Sequence, residues 1–386
     1  MGTAPVDADY LRDLADLVLR LLHVVAGIAW IGASFYFIRL DLGLRTPEEP
    51  KEGVAGEYWG VHGGGFYHSQ KYKVAPARLP EHLHWFKWEA YTTWFSGFAL
   101  LVVLYWLDAG TRLVDPAVAG LSSGQAVALS AAGLALAWLA YDLACRFLRY
   151  DRAVAVAVAV LVTLSAFAAS ELFAARASFL QVGSMLGTIM AANVFFVIIP
   201  AHRELIRAKQ QGREPDPAPG LRAKQRSVHN NYLTLPVVFT MLAGHFPLAF
   251  GSDRAWLVLL AIFAIVAAIR HFFNRWHVGR REWWILAAAG VGAVALAVVL
   301  APEDTPGVSR TIGDEQALLI ATSRCQPCHV GAAAPNGVML DTVEGLRVNA
   351  AGIARQLRAN AMPPGNATGM TDDERAKLVA WASAAG

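Results

Sequence analysis

Long apolar runs separated by short polar segments make up most of the chain before residue 300. A run of about 20 apolar residues can cross the hydrocarbon core of a bilayer as a single helix. Such runs occur at roughly residues 14–40, 88–109, 124–145, 153–174, 178–200, 231–251, 254–273 and 283–301. The pattern predicts an all-α fold, a polytopic membrane helix bundle with about eight transmembrane helices.

The pattern changes after the last apolar run, where the segment APEDTPG is rich in proline and glycine and predicts a linker. Further on, Thr371 and Glu374 form a capping-box pair ahead of apolar positions, which predicts a final helix. We therefore divide the chain into a membrane domain at 1–300, a linker at 301–311 and a small C-terminal α domain at 312–386.

The composition agrees with this division. Apolar residues make up 55% of the 386 residues and charged residues 16%, with a mean hydropathy of +0.39. These values exclude an ordinary soluble protein and favour an integral protein of the lipid bilayer.

The motif CQPCH at residues 325–329 predicts a covalently attached haem c. Two thiols three positions apart can add to the two vinyl groups of one haem while the next histidine ligates the iron. Cys325 and Cys328 would form the thioethers and His329 would be the proximal ligand. A zinc half-site and a redox CxxC are the alternatives, but the only other cysteine, Cys145, lies far away in an apolar run.

The motif identifies residues 312–386 as a small class I cytochrome c-like α domain, in which a second axial ligand should follow the attachment motif. Met362, in an MPP turn before the final helix, is the first candidate. Met370 and Met339 are the alternatives.

Lysine and arginine are unevenly distributed among the loops, and this predicts the orientation of the chain. One set of alternate loops contains most of the cations, whereas the other set contains only Arg112, Arg176 and Arg254. Cation-rich loops face the cytoplasm. The N-terminus and the haem domain are then periplasmic, on the outer face of a bacterial inner (plasma) membrane. The net charge of +3 reflects this orientation and does not indicate a nucleic-acid partner.

Histidines inside apolar helices are candidate ligands of a second haem. His23 shares a helical stripe with Gly27, and a small residue beside a histidine leaves room for a porphyrin. His245 near the outer end of the sixth run is a possible partner for ligation of one haem b. The alternative is a histidine that only forms a hydrogen bond to a neighbouring helix.

A second group of polar and aromatic residues lies towards the predicted inside face, in the segments HGGGFYHSQKY, PEHLHWFKWEAYTTWFSG and IRHFFNRWH. The three glycines are either a backbone anion site or only a turn. The tryptophans are either a stacking surface for a planar ligand or an interfacial aromatic belt.

Five segments together with CQPCH resemble a known family. The segments HVVAGIAWIGASFYFIRLD, HGGGFYHSQKY, HWFKWEAYTTWFSG, ANVFFVIIPAHR and HNNYLTLPVVFTMLAGHFP are similar to the PuuD family of bacterial membrane-bound urate oxidases (urate hydroxylases) with a fused cytochrome c domain. The first segment is also similar to HemJ-type protoporphyrinogen oxidases, in which the matching histidine ligates haem b. That second resemblance favours His23 as a haem ligand.

The resemblance to the urate oxidases implies oxidation of urate to 5-hydroxyisourate, with electrons passed to cytochrome c and onward to a terminal oxidase. Water would supply the hydroxyl oxygen, and no hydrogen peroxide would form. The residues predicted to bind urate are Lys71, Trp85, Lys87, Trp88, Arg270 and Arg275, and the candidate proton acceptors are His84, His229 and His271.

Other functions compete with this interpretation. A quinol-oxidising cytochrome b/c fusion would use the same haems but draw its electrons from the lipid phase. A porphyrinogen oxidase would not need a fused cytochrome. A membrane anchor with electron transfer but no substrate chemistry, and a transporter, are further alternatives that the polar inside loops and the haem motif disfavour.

Overall fold

A computed structural model describes residues 8–49, 51–252, 254–301, 312–331, 334–358 and 361–385. The structure is 71% helical, and the strands of the described residues form one two-stranded sheet. The predicted all-α class is therefore confirmed.

The helices before residue 301 are α1 Ala8–Gly43, α2 Trp88–Leu101, α3 Ala109–Arg112, α4 Ser123–Phe147, α5 Asp151–Leu172, α6 Ala175–Asn193, α7 Ile199–Gln210, α8 Pro217–Ala243, α9 Pro247–Phe250, α10 Ala255–His277 and α11 Trp283–Val299. Two π-helical turns, Val102–Trp106 and Val194–Ile198, follow α2 and α6 directly. The later helices are α12 Asp314–Arg324, α13 Val343–Val348, α14 Ala350–Arg358 and α15 Asp372–Ala385, with 3₁₀ turns at Pro335–Gly337 and Pro364–Asn366.

Within the described residues, five helical segments are long and apolar enough to cross a membrane. They are Tyr10–Gly43, Ser123–Phe147, Asp151–Leu172, Ala175–Gln210 and Ala255–His277. The protein is therefore a polytopic membrane protein.

The other three predicted spans are also helical, but each differs from a plain apolar span. Helix α2 changes to a π turn after Leu101, α8 begins in polar sequence at Pro217 and ends at Ala243, and α11 has 17 residues. The length of an apolar run alone does not predict a π turn or a helix whose first half is polar.

Strands β1, Val54–His62, and β2, Gly65–Tyr72, form an antiparallel hairpin that the sequence analysis did not predict. Gly63 and Gly64 occupy its turn with φ of 58° and 81°, values that strongly favour glycine. The triglycine segment is thus the tight turn of a hairpin, which is the second of the two alternatives given above.

A cross-strand pair stabilises the hairpin. The rings of Trp59 and His68 stack with centroids 4.1 Å apart, and His68 Nε2 lies 2.8 Å from a carboxylate oxygen of Glu57. This hydrogen bond lowers the pKa of Glu57.

The chain divides into two compact units. The first comprises Met1–Val103, Ser184–Val238 and Phe263–Gly292, and the second comprises Leu104–Gly183, Phe239–Ile262 and Ala293–Gly386. The first contains the hairpin and every residue predicted to bind urate. Of the predicted linker, residues 302–311 lie outside the described residues.

The helices after residue 311 surround a core of their own. Ala317 and Ala321 of α12 pack with Leu346, Leu378 and Trp381, all of them buried. Small residues on α12 allow the bulky side chains of the other helices to approach closely.

The predicted cap of the final helix is confirmed. Thr371 Oγ1 accepts a hydrogen bond from the backbone N–H of Glu374 at 3.2 Å, and the Glu374 carboxylate accepts one from the backbone N–H of Thr371 at 2.8 Å. Trp381 Nε1 donates to Asp314 Oδ1 at 3.0 Å, which joins α15 to α12.

Candidate functional site

Three polar side chains of the first unit are buried together between α8 and α10. Asn231 is 0% exposed, Arg270 5% and Asn274 9%. Arg270 Nε and Asn274 Nδ2 each donate a hydrogen bond to the same oxygen, Asn231 Oδ1, at 3.0 Å. We call these three residues the amide–arginine cluster.

The cluster leaves three buried polar atoms without a hydrogen-bond partner among the described residues. They are Asn231 Nδ2, Arg270 Nη2 and Asn274 Oδ1. A buried polar atom without a partner costs about 1–3 kcal/mol, and more when the group is charged. Native proteins pair nearly all their buried polar atoms, so three such atoms in one cluster indicate that a further partner, such as water or a ligand, belongs there.

Arg270 also packs against an aromatic ring. Its guanidinium carbon lies 3.9 Å from the ring centroid of Phe35 on α1, within the range of a cation–π contact. The sequence analysis predicted Arg270 but not Phe35 or Asn274. The spacing of Arg270 and Asn274, four residues apart on one helix face, was the available signal.

A histidine and a tyrosine pair beside the cluster. The hydroxyl of Tyr232 lies 2.6 Å from Nδ1 of His271, and each residue directly follows a cluster member, Asn231 or Arg270. The side chains of adjacent helical residues point about 100° apart. Tyr232 and His271 therefore lie on a different face of their helices from the cluster residues. Of the three candidate proton acceptors, His271 has this defined hydrogen bond.

Two of the predicted urate-binding cations already have carboxylate partners. Lys71 forms an ion pair with Asp41, and Arg275 binds Glu282 at 2.7 Å, which lowers the pKa of Glu282. Arg270, in contrast, is buried without a carboxylate partner among the described residues. No carboxylate of the described residues neutralises its positive charge, which is therefore left for an anionic ligand.

The fourth predicted cation, Lys87, lies against aromatic rings. Its Nζ is 5.4 Å from the ring centroid of Trp85 and 5.1 Å from that of Trp88. Trp85 is half-buried and Trp88 is exposed. The arrangement brings Lys87 and the two predicted tryptophans together at the start of α2.

A pocket of about 740 Å³ opens beside this tryptophan pair. Apolar side chains dominate its lining, and Tyr72, Arg78, His84, Trp85 and His202 add polar atoms. We call it the loop pocket, because most of it is formed by the segment between β2 and α2. Arg78 and Tyr72 were not predicted as site residues.

The remaining candidate proton acceptors lie in different surroundings. His84 opens on the loop pocket and contacts the edge of the Phe86 ring, with centroids 4.6 Å apart. His229 is half-buried on α8, two residues before Asn231.

His23 lies between α1 and α2. Its Nδ1 is 2.9 Å from the carbonyl oxygen of Thr93 and 3.2 Å from the hydroxyl of Ser96. A carbonyl only accepts, so Nδ1 carries the proton and Nε2 keeps its lone pair. This geometry fits a haem ligand and equally fits a histidine that joins two helices.

His245 lies outside its helix, contrary to prediction. Helix α8 ends at Ala243, and exposed His245 follows in a turn, because Gly244 and Pro247 do not favour continuation of the helix. His23 belongs to the first unit and His245 to the second. Their joint ligation of a haem b stays a prediction.

The CQPCH segment forms a tight turn, and its residue types fit the attachment of a haem c. The backbone N–H groups of Cys328 and His329 both donate to the Cys325 carbonyl, at 3.1 and 3.0 Å, so one turn presents both thiols and the imidazole. His329 Nδ1 donates to the Val338 carbonyl at 2.9 Å, which leaves Nε2 for the iron. Burial raises the pKa of the Cys325 thiol to about 11.

The methionines near this motif differ in their surroundings. Met362 is half-buried in a turn whose carbonyl accepts a hydrogen bond from Arg375 Nη1 at 2.8 Å. Met370 is 3% exposed within the apolar core, and Met339 is 46% exposed. No group of three histidine, cysteine or acidic side chains able to bind a metal ion occurs among the described residues. The two thiols and the imidazole of CQPCH are of the types that attach and ligate a haem c, and methionine ligation stays a prediction.

Within the second unit, the turn that follows Met362 packs against loops at the ends of the apolar helices. The 3₁₀ turn Pro364–Asn366 contacts α3. A cavity of about 260 Å³ is lined by Asp115 and Glu171 on one side and by Arg375 on the other. Burial lowers the pKa of Arg375, while Asp372 and Asp115 act in the opposite direction.

These features define a polytopic helical membrane protein with a buried cationic cluster and a C-terminal CQPCH turn. The chain belongs to the urate oxidase N-terminal family, which matches residues 9–301. The resemblance inferred from sequence is therefore confirmed for those residues, and the protein is an oxidoreductase-family member with a urate-processing function. No curated protein and no solved structure gave a significant match.

Proposed function

We propose that the protein oxidises urate to 5-hydroxyisourate and passes the electrons to a haem c bound by Cys325, Cys328 and His329, with Met362 as second axial ligand. The family match over residues 9–301 carries this proposal, because it joins a urate-processing domain to a haem-attachment motif in the same chain. The division into a membrane domain, a linker and a cytochrome c domain is part of the proposal.

The reaction balances without molecular oxygen. Urate and one water give 5-hydroxyisourate, two protons and two electrons. Loss of electrons makes C5 of the purine electrophilic, and the water oxygen forms the new C5–O bond. When bound, the haem c accepts electrons singly and delivers them to a soluble or membrane cytochrome c or to a terminal oxidase.

The residues of the first unit bind and orient urate. Arg270 supplies a buried positive charge for the urate anion, and Trp85 and Trp88, with Lys87 beside them, provide aromatic faces at the start of α2. Lys71 and Arg275 have carboxylate partners and contribute less.

A histidine accepts the protons released. In the tautomer of His271 that carries its proton on Nδ1, that N–H donates to Tyr232 and Nε2 is free to accept a proton. His84, on the loop pocket, and His229, on α8, are the other candidates. A haem b at His23, with His245 as a possible second ligand, would supply an intermediate electron carrier within the membrane.

The bacterial inner membrane, with the N-terminus and the haem domain in the periplasm, is the proposed location. The loops near Asp115 and Glu171, against which the Met362 turn packs, belong to the set that is poor in lysine and arginine. Loops of that kind face away from the cytoplasm. The haem domain and these loops then share one side of the membrane.

Anaerobic turnover tests the proposal. The purified protein is incubated with urate and ferricyanide under argon in ¹⁸O-labelled water. We expect urate to be consumed without oxygen, one ¹⁸O atom to enter the product and no peroxide to form. A strict requirement for oxygen with peroxide release, or reduction by a quinol analogue with no reduction by urate, would contradict it.

A further inference from the structure

The hydrogen bonds inside the amide–arginine cluster fix which atoms remain for a ligand. Asn231 Oδ1 accepts from both Arg270 Nε and Asn274 Nδ2, so neither amide can be flipped without placing two donors or two acceptors in contact. Among the residues that the structure describes, the buried atoms of the cluster left without a partner are two donors, Asn231 Nδ2 and Arg270 Nη2, and one acceptor, Asn274 Oδ1.

This combination discriminates among anions. A carboxylate, whether from a haem propionate or a fatty acid, accepts hydrogen bonds but has no proton for Asn274 Oδ1. A fully ionised phosphate fails in the same way. An anion that carries an N–H group next to a carbonyl oxygen can satisfy all three atoms at once.

Urate has such edges. Its ring presents carbonyl oxygens flanked by N–H groups, and near neutral pH it carries one delocalised negative charge. The carbonyl oxygen and the charge suit the two donors and the guanidinium, while the neighbouring N–H suits Asn274 Oδ1.

Three helices hold these groups in place. Asn231 is on α8, Arg270 and Asn274 are one turn apart on α10, and Phe35 of α1 packs against the guanidinium at 3.9 Å. Side chains fixed by buried contacts on helices lose little entropy when a ligand binds.

We propose that the amide–arginine cluster recognises the ureide edge of urate, and that Asn274 is the residue that selects a purine over a simple carboxylate. The proposal rests on the proposed function, since it assigns the position at which that function's substrate binds.

Binding is measured separately from oxidation. The haem protein is first reduced with dithionite so that urate cannot be consumed, and the affinity for radiolabelled urate is measured by equilibrium dialysis. Arg270→Gln removes the charge, and Asn274→Leu removes the acceptor with little change in volume. Arg207→Gln, an exposed arginine on α7 paired with Glu204 at 3.5 Å, is the matched control.

We expect Arg270→Gln and Asn274→Leu each to weaken urate binding roughly tenfold or more, with Arg207→Gln unchanged. Xanthine, which keeps a ureide edge, should compete with urate, and benzoate should not. Equal affinity in the wild type and both variants, or competition by benzoate, would overturn the assignment.

A measurement on the wild-type protein tests the same assignment without relying on the folding of a variant. Hydrogen exchange with and without urate should show protection around residues 231 and 270–274. Protection confined to the loop pocket at 72–85 would overturn the assignment to this cluster. If urate neither binds nor reduces the wild-type protein, the proposed function itself fails; if it does both while the two variants match the wild type, only this inference fails.

Discussion

Arg270 and Asn231 lie on different helices, and Nε of the arginine donates to Oδ1 of the amide at 3.0 Å. The same oxygen also accepts from Asn274. One neutral amide therefore orients a buried cation without neutralising it, which leaves the positive charge available to an anionic substrate.

Asn231→Asp should convert this neutral contact into an ion pair. The carboxylate would cancel the charge of Arg270, so we expect the KM for urate to rise about tenfold or more. Steady-state kinetics with an artificial electron acceptor check this. Gln211→Glu, on an exposed position after α7, is the control that adds the same charge elsewhere. An unchanged KM in Asn231→Asp would contradict the role given to the uncompensated charge.

Gly97→Ala should disturb His23. A Cβ atom at Gly97 would lie 2.7 Å from Cε1 of the imidazole, closer than van der Waals contact allows. Overpacking of this kind costs about 1–3 kcal/mol and displaces the ring. If His23 ligates a haem b, a pyridine haemochrome assay should show less haem b per polypeptide in the variant.

Gly32→Ala, on the helix α1 that carries His23, is the control, because a Cβ there meets no atom within 4 Å. A full haem b content in Gly97→Ala would count against His23 as a ligand. Absence of any b-type haemochrome from the wild type would remove haem b from the account.

Arg375→Gln should loosen the turn that contains Met362. The guanidinium donates to the carbonyls of Met362 and Leu357 at 2.8 and 3.2 Å, and loss of such charged hydrogen bonds costs about 1–3 kcal/mol. We expect a lower melting temperature and a weaker near-infrared charge-transfer band, which reports methionine ligation of ferric haem. Arg355→Gln, exposed on α14, should change neither. An intact band in Arg375→Gln would favour Met370 or Met339 as the ligand.

Asp314 should make the stability of the C-terminal region depend on pH. Hydrogen bonds from Arg347 and Trp381 lower the pKa of this carboxyl below its usual 3.8. The folded state then binds fewer protons than the unfolded state, so the stabilisation is complete above about pH 4 and is lost as the pH falls through the lowered pKa.

Asp314→Asn should therefore lower the melting temperature at neutral pH and flatten its decline in acid, measured by haem circular dichroism. Glu315→Gln, in the same first turn of α12, is the control. A decline in acid that is identical in the wild type and Asp314→Asn would show that this carboxylate does not contribute.

The lengths of the apolar runs were enough to predict the helical class. A helix that crosses a bilayer needs about 20 consecutive apolar residues, and such a run can be read directly from the sequence. These run lengths could not show the hairpin at 54–72. The cross-strand partners Trp59 and His68 are nine positions apart, and GVHGGGF contains too many glycines for a strand pattern. The paired glycines at the turn were the signal that would have identified it.

The candidate site was predictable only as single residues. The charge and position of Arg270 mark it in the sequence, but its partners Asn231 and Phe35 come from helices about 40 and 235 positions away. Such contacts depend on how the helices pack, and helix packing cannot be predicted from a single sequence by pattern alone. In the same way, the sequence around Lys71 and Arg270 does not show which of the two cations has a carboxylate partner. Only the structure shows that Asp41 lies beside Lys71.

The most direct test of the central claim is an optical spectrum of the purified, oxidised protein mixed with urate in the absence of oxygen. The account predicts that the α band of reduced haem c appears on addition of urate, with two haems reduced for each urate consumed. A spectrum that stays oxidised with urate while a quinol analogue reduces it would contradict the account and favour the quinone pool as the electron source.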